Sequence, residues 1–144
     1  ITFVKEVEEV IKLALDIFNE DYISFEAETE EIIAKFDRTQ LIRVVTNLVK
    51  NSIQAIPEAK ENPSIKVKVF SKGDEVKITV EDNGNGIAEE TKSKIFEPKF
   101  TTKSSGMGLG LAMVKNIVET FKGSITFTSQ EGKGTTFTVA FPKE

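Results

Sequence analysis

The sequence predicts an α+β domain: a two-layer sandwich in which a mixed, mostly antiparallel sheet of about five to six strands carries three main helices on one face. Three observations support this. Apolar residues recur at helical spacing in three separate stretches, 4–19, 38–56 and 111–121. Two pairs of alternating segments, 65–71 with 75–82 and 123–130 with 135–142, are each joined by a short glycine-bearing turn. The order of these elements along the chain suggests a sheet that hairpins build and helices cover.

The first helix pattern sets Val7, Val10, Ile11, Ala14, Ile17 and Phe18 on one face, with Glu6, Glu8, Glu9 and Lys12 largely elsewhere. It reads as a core-packing amphipathic helix. YISFEAE at 22–28 alternates and EIIAKF at 31–36 is a short apolar run, so two strands joined by a tight connection are expected. Asp37 offers an N-cap to the helix over 38–56, which Pro57 ends. Its buried stripe is Leu41, Val44, Val45, Leu48, Ser52 and Ile56. Asn47 and Asn51 stand four apart beside that stripe, with Arg43 one turn back. Asparagine is a mediocre helix former, so the pair makes surface amides or satisfied buried contacts, or else serves a ligand.

After a loop over 57–64, the first hairpin turns at Lys72, Gly73 and Asp74, and Val67, Val69, Val76, Ile78 and Val80 give it a dry face. The last helix places Leu111, Val114, Ile117, Val118 and Phe121 at helical spacing. The second hairpin crosses EGKG, with Ile125, Phe127, Phe137, Val139 and Phe141 as inward candidates.

A chain of 144 residues is expected to form one domain that buries roughly two-thirds or more of its unfolded surface. With no cysteine it has no disulfide, thiolate metal site or cysteine nucleophile. With no histidine it lacks the commonest general base at neutral pH, the usual zinc ligand and any histidine phosphoacceptor. A net charge of -4 with interspersed signs argues against a nucleic-acid surface. No apolar run approaches the ~20 residues of a membrane span, and the N-terminus lacks signal-peptide features. A soluble, monomeric, cytoplasmic domain without membrane contact is expected, cut from a longer parent that is free to be membrane-anchored.

Five of the nine glycines fall between Glu81 and Leu111, in the clusters DNGNG and GMGLG. The polar segment between them carries Lys92, Lys94, Lys99 and Lys103 and is expected to stay out of the core. A glycine-rich turn that opens a helix can cradle phosphate, because the first helical turn offers free amides and the positive end of the dipole. Either cluster can equally be a plain turn. GMGLG does not have the spacing of the dinucleotide-binding G-x-G-x-x-G, and no P-loop motif occurs.

Asp82 ends a strand and opens the first cluster. Its carboxylate can cap an Asx-turn, or it can accept from an exocyclic base amine, which adenine has and which the guanine carbonyl would oppose. Asn51 offers a neutral side-chain oxygen of the kind Mg²⁺ accepts when phosphates supply the charge, and its amide can donate to phosphate. Thr102 or Lys103 could close over the anion.

NLVKNSIQA, DNGNGI, IFEPKFTTK, GMGLGLAMV and GKGTTF stand in the order of the N box, first glycine box, F box, second glycine box and terminal Gly-Thr of bacterial sensor histidine kinases. Nearly the whole chain resembles their catalytic ATP-binding domain, in the superfamily of gyrase, heat-shock chaperone and mismatch-repair ATPases. NxxxN followed by QA, with FTTK, looks most like the nitrogen-regulation type. The resemblance implies a Bergerat-type fold over 1–144 with a flexible ATP lid at about 88–107, and Mg²⁺ and ATP as cofactors. It makes Asn51 the Mg²⁺ ligand, Asn47 its partner at the phosphates, and Asp82 with Thr135 the readers of adenine. Gly84 and Gly86 would admit the base beside Ile87, and Gly106, Gly108 and Gly110 would hinge the lid and hold the phosphates. Ala55, Thr102, Lys103 and Leu109 complete the implied nucleotide site, with Asn47, Asn51 and Lys103 as the catalytic set. Phe96 and Phe100 would form the F-box pair, either packing the lid or touching a phosphoacceptor domain.

The chain departs from the family pattern at Gln54, where many members carry lysine, and at Lys99, where phenylalanine is frequent. Lys50 or Lys103 would then have to supply the missing phosphate contact. ATPase branches place a water-activating glutamate where Asn47 stands, and asparagine cannot take a proton, so the resemblance implies phosphoryl transfer over hydrolysis. The acceptor histidine would lie on a helical dimerisation domain of the same parent, with a response regulator receiver domain downstream. Two alternatives stay open: a nucleotide-dependent interaction module without transfer activity, and a serine/threonine kinase of the anti-sigma type on the same fold.

Overall fold

The computed structural model describes residues 3–4, 16, 18, 22–27, 34–35, 37–96 and 107–142. The strands are β1 (Phe3–Val4), β2 (Ile23–Ala27), β3 (Ala34–Lys35), β4 (Ile65–Lys72), β5 (Glu75–Asp82), β6 (Ser124–Gln130) and β7 (Gly134–Pro142). The helices are α1 (Arg38–Ala55) and α2 (Met107–Thr120), with a 3₁₀ helix at Glu89–Lys94. The amphipathic helix expected at 4–19 falls almost wholly outside the described residues. Among the described residues, no helix is long and apolar enough to cross a membrane.

The main sheet has five strands in the order β2-β4-β5-β7-β6. β2 and β4 are parallel and the other neighbours antiparallel, so the mixed, mostly antiparallel α+β architecture stands. The strands expected within 22–28 and 31–36 form as β2 and β3, but in different sheets: β2 joins the main sheet beside β4, whereas β3 pairs with β1 in a separate two-stranded sheet. An alternating pattern specifies which face of a strand is dry, not which strand lies beside it.

Each local signal has a visible cause. Asp37 caps α1 by accepting from the Gln40 amide at 3.1 Å, and α1 stops at Ala55, before Pro57. Gly73, at φ 61°, opens the two-residue loop between Lys72 and Glu75, where a II′ turn needs its glycine. Cross-strand pairs Val67–Val80, Val69–Ile78, Ile78–Val139 and Val80–Phe137 form one apolar face. Leu41, Val44, Val45, Leu48 and Val49 of α1 and Val114 and Val118 of α2 pack with it, all fully buried. Burial of such side chains contributes about 1.5–3 kcal/mol each.

The same face ends in polar residues. Asp82 finishes β5 opposite Thr135 of β7, which in turn stands opposite Ser129 of β6. The dry face thus runs out at one end of the sheet, beside the C-terminal turn of α1.

Candidate nucleotide site

Among the described residues the buried polar side chains are Asn51, Ser52, Asp82 and Thr135. They gather at that sheet end. Asp82 Oδ1 accepts from the Gly84 amide at 2.9 Å, so the Asx-turn role is real and occupies one carboxylate oxygen. Burial pushes the Asp82 carboxyl above its ordinary value, opposed by the Gly84 amide, the Ser52 hydroxyl and the Thr135 amide, with a small further push from Glu81. The Ser52 hydroxyl acts on Asp82 from nearby but makes no bond of proper geometry, and its oxygen has no hydrogen-bond partner.

Asn51 is 7 % exposed, and its Nδ2 is buried without a partner. Asn47, one turn earlier, donates from Nδ2 to the Arg43 carbonyl at 2.8 Å. A Cβ on Gly110 would stand 3.1 Å from Asn47 Oδ1, so this glycine of the second cluster lies against Asn47. α2 begins at Met107, which puts Gly108, Leu109 and Gly110 inside its first turn and not in a loop before it.

The DNGNG turn is stapled on both sides. Asn85 donates to the Ala55 carbonyl at 2.9 Å, and Gly132 donates to the Asn85 carbonyl at 2.7 Å. Added Cβ atoms would meet Ala55 O at 2.5 Å from Gly84 and Gln130 O at 2.3 Å from Gly86. These glycines are therefore required by neighbouring protein backbone, whatever else they admit. Asn83 locks the turn to the preceding loop, accepting from Ser64 N at 2.9 Å and donating to Asn62 O at 2.8 Å.

Ile87 is half-buried, and its amide donates to Ser129 Oγ at 2.8 Å. Lys92 reaches the Ser129 carbonyl at 2.7 Å and Glu89 at 3.1 Å. The polar segment was expected to stay out of the core, yet Ile95 is only 3 % exposed. A single apolar side chain can enter a core even where its neighbours are lysines. Phe96 packs edge-on against Phe127, with ring centroids 5.8 Å apart, and Lys115 Nζ lies 5.6 Å from the Phe96 centroid. Lys99, Phe100, Thr102, Lys103 and Gly106 lie outside the described residues. Gln54 is half-buried and has a partner, and Lys50 is exposed.

Sequence reasoning assigned no site role to Ser52, Ser129, Asn83 or Gly134. Ser52 and Ser129 carried a signal, since each is a polar residue at an apolar position of its periodic pattern. Among the described residues no group of three or more acidic, cysteine or histidine side chains could hold a metal ion, and Asn51 offers a neutral side-chain oxygen. Such a donor suits Mg²⁺ only when a bound phosphate chain brings the charge.

Comparison with known proteins identifies the family and the fold. The family model for histidine kinase-, DNA gyrase B- and HSP90-like ATPases matches residues 36–144. The sensor histidine kinase ZraS of Escherichia coli (strain K12) is 49% identical over 106 residues, covering 74% of this chain and 22% of ZraS. Sporulation kinase B of Bacillus subtilis (strain 168) is 36% identical over 139 residues, covering 96% of this chain and 32% of the kinase. The chain thus spans a third or less of these curated relatives. A nucleotide-free structure of the catalytic domain of histidine kinase ThkA superposes with a TM-score of 0.85 at 34% identity, covering 99% of this chain and 97% of that one. The chain belongs to the histidine kinase-, DNA gyrase B- and HSP90-like ATPase family, as an ATP-binding domain of the sensor histidine kinase type.

Proposed function

We propose that this domain binds Mg-ATP at the polar end of the sheet and donates the γ-phosphoryl group to a histidine on a separate helical dimerisation domain, as the catalytic half of a two-component sensor kinase. The observation that carries the reading is the collection of Asn51, Ser52, Asp82 and Thr135 in one buried place, with Asn51 Nδ2 left without a partner. Buried polar atoms are normally satisfied, so the unpartnered Asn51 amide beside this polar group fits a site whose partner is a ligand.

In this reading Asp82 and Thr135 take the adenine amine, and Ala55, Gly84, Gly86 and Ile87 line the base. Asn51 would hold Mg²⁺ through its side-chain oxygen, and Asn47 would lie beside the phosphates. The amides of the first turn of α2, at Gly108, Leu109 and Gly110, would face the phosphate chain, with Gly106, Thr102 and Lys103 closing from the lid at about 88–107. Mg²⁺ would supply charge neutralisation at the phosphates; the chain's own residues supply position. Asn47 can donate and accept hydrogen bonds but cannot take a proton from water, which favours transfer over hydrolysis. The whole of 1–144 would act as one monomeric cytoplasmic domain of a larger protein, handing the phosphoryl group onward through the acceptor domain to a receiver domain.

The test is to mix the domain with a histidine-bearing acceptor domain and γ-labelled ATP, with and without Mg²⁺. Acid-labile, Mg²⁺-dependent label on the acceptor is expected. Acid-stable label would assign hydroxyl phosphorylation, and nucleotide binding without any transfer would assign an interaction module.

A further inference from the structure

Ser129 Oγ touches three polar atoms. The Ile87 amide donates to it at 2.8 Å, the Gly134 carbonyl lies 3.1 Å away, and Thr135 Oγ1 lies 2.8 Å away. A hydroxyl has one hydrogen and two lone pairs. The Gly134 carbonyl can only accept, so its bond uses the single Ser129 proton. The Ser129–Thr135 contact must then be made with the Thr135 proton, and only this arrangement turns all three contacts into hydrogen bonds. Thr135 is 5 % exposed, a setting in which unmade bonds are costly.

We propose that Ser129 is a positioning residue that fixes the hydrogen-bond polarity of Thr135, turning its oxygen into an acceptor on the base-reading edge of the nucleotide site. This rests on the reading of Asp82 as the base reader. Asp82, paired across the strands with Thr135, accepts when ionised. Two neighbouring acceptors match an exocyclic amine, which has two hydrogens, and oppose a 6-oxo purine, which turns a lone pair toward them. Were Thr135 free to rotate, it could donate to that carbonyl and the distinction would weaken. Ser129 also links this edge to the stretch after the DNGNG turn, since Lys92 holds its carbonyl and Ile87 its hydroxyl.

The test compares the binding of ATP and inosine triphosphate by calorimetric titration of the wild-type domain, Ser129→Ala, Thr135→Val, the double variant and Asp82→Asn. Ser129→Ala is expected to narrow the ATP preference about 3- to 10-fold, mainly through tighter inosine triphosphate binding. Thr135→Val is expected to narrow it through weaker ATP binding. In the Thr135→Val background, Ser129→Ala should leave the preference unchanged. A purely structural role for Ser129 would weaken both nucleotides alike; that result overturns the proposal. Should Ser129→Ala fail to fold, unchanged ATP binding by Thr135→Val overturns it independently. A wild-type domain without preference removes the Asp82 reading itself. Preference abolished by Asp82→Asn but untouched by Ser129→Ala removes only the inference about Ser129.

Discussion

Gly110, in the first turn of α2, lies against the Asn47 side chain of α1, so close that a Cβ would stand 3.1 Å from Asn47 Oδ1. Its Nδ2 donates to the Arg43 carbonyl at 2.8 Å, and a methyl group at position 110 would shift Asn47 by a few tenths of an ångström from that place. Gly110→Ala should therefore separate stability from function. Alanine within a helix gains about 0.5–1 kcal/mol over glycine, which offsets the crowding, so thermal unfolding should stay level or rise. Nucleotide affinity should fall several-fold as Asn47 is displaced. Calorimetric titration beside a melting curve tests this, and undiminished affinity would show that Asn47 need not hold its place.

Asn51 carries a buried Nδ2 without a partner, a feature that costs about 1–3 kcal/mol in the free protein. Removing it relieves that cost while losing some packing, so Asn51→Ala should leave nucleotide-free stability within about 1 kcal/mol of wild type. The gain in ATP affinity on adding Mg²⁺ should vanish. Retention of that gain would move the Mg²⁺ assignment elsewhere.

Asp82 has a pH signature. Its folded-state carboxyl is raised above the ordinary value, chiefly by burial, so the folded protein holds the proton more tightly than the unfolded chain does. The stabilisation from this group is complete below the unfolded value near 3.8 and is lost as pH rises through the folded one. At neutral pH the buried charge is a net cost. Asp82→Asn keeps an oxygen for the Gly84 amide and should be at least as stable as wild type at pH 7, with the advantage shrinking on acidification. Denaturant midpoints across pH 3–7 check the sign, and a constant difference would contradict it.

The glycines of the turns should not be equivalent. Gly132, at φ 83°, has nothing within 4 Å of an added Cβ, so Gly132→Ala should cost only the backbone term of about 1 kcal/mol. Gly86, at φ 73°, would meet the Gln130 carbonyl at 2.3 Å, and Gly134, at φ 138°, would meet the Asp82 carbonyl at 2.1 Å. Alanine at either should cost about 2 kcal/mol or more by urea unfolding. Equal costs for all three would mean that the turns adjust freely.

Periodicity and turn chemistry made most of the fold legible. The dry faces of β4, β5 and β7, the Asp37 cap, the Pro57 stop and both hairpin turns follow from local rules that the folded chain obeys. Asp82 could be singled out because it ends a strand and opens a glycine cluster, and Asn51 because it stands four residues from Asn47 beside an apolar stripe. The pairing of β2 with β4 and of β1 with β3 was not legible, since several strands present edges that can pair. Ile95 was hidden by the lysines around it.

By itself the sequence determined most of the described elements, their dry faces and the order of the boxes, because each depends on side chains a few residues apart. Tertiary structure decided what those boxes touch. Asp82 meets Thr135 only through strand register, DNGNG is clamped between Ala55 and the β6–β7 turn, and Ser129 joins Ile87 to Thr135. Such contacts depend on which distant backbones can approach one another and on where each hydroxyl must send its one proton. No local pattern in the chain encodes either.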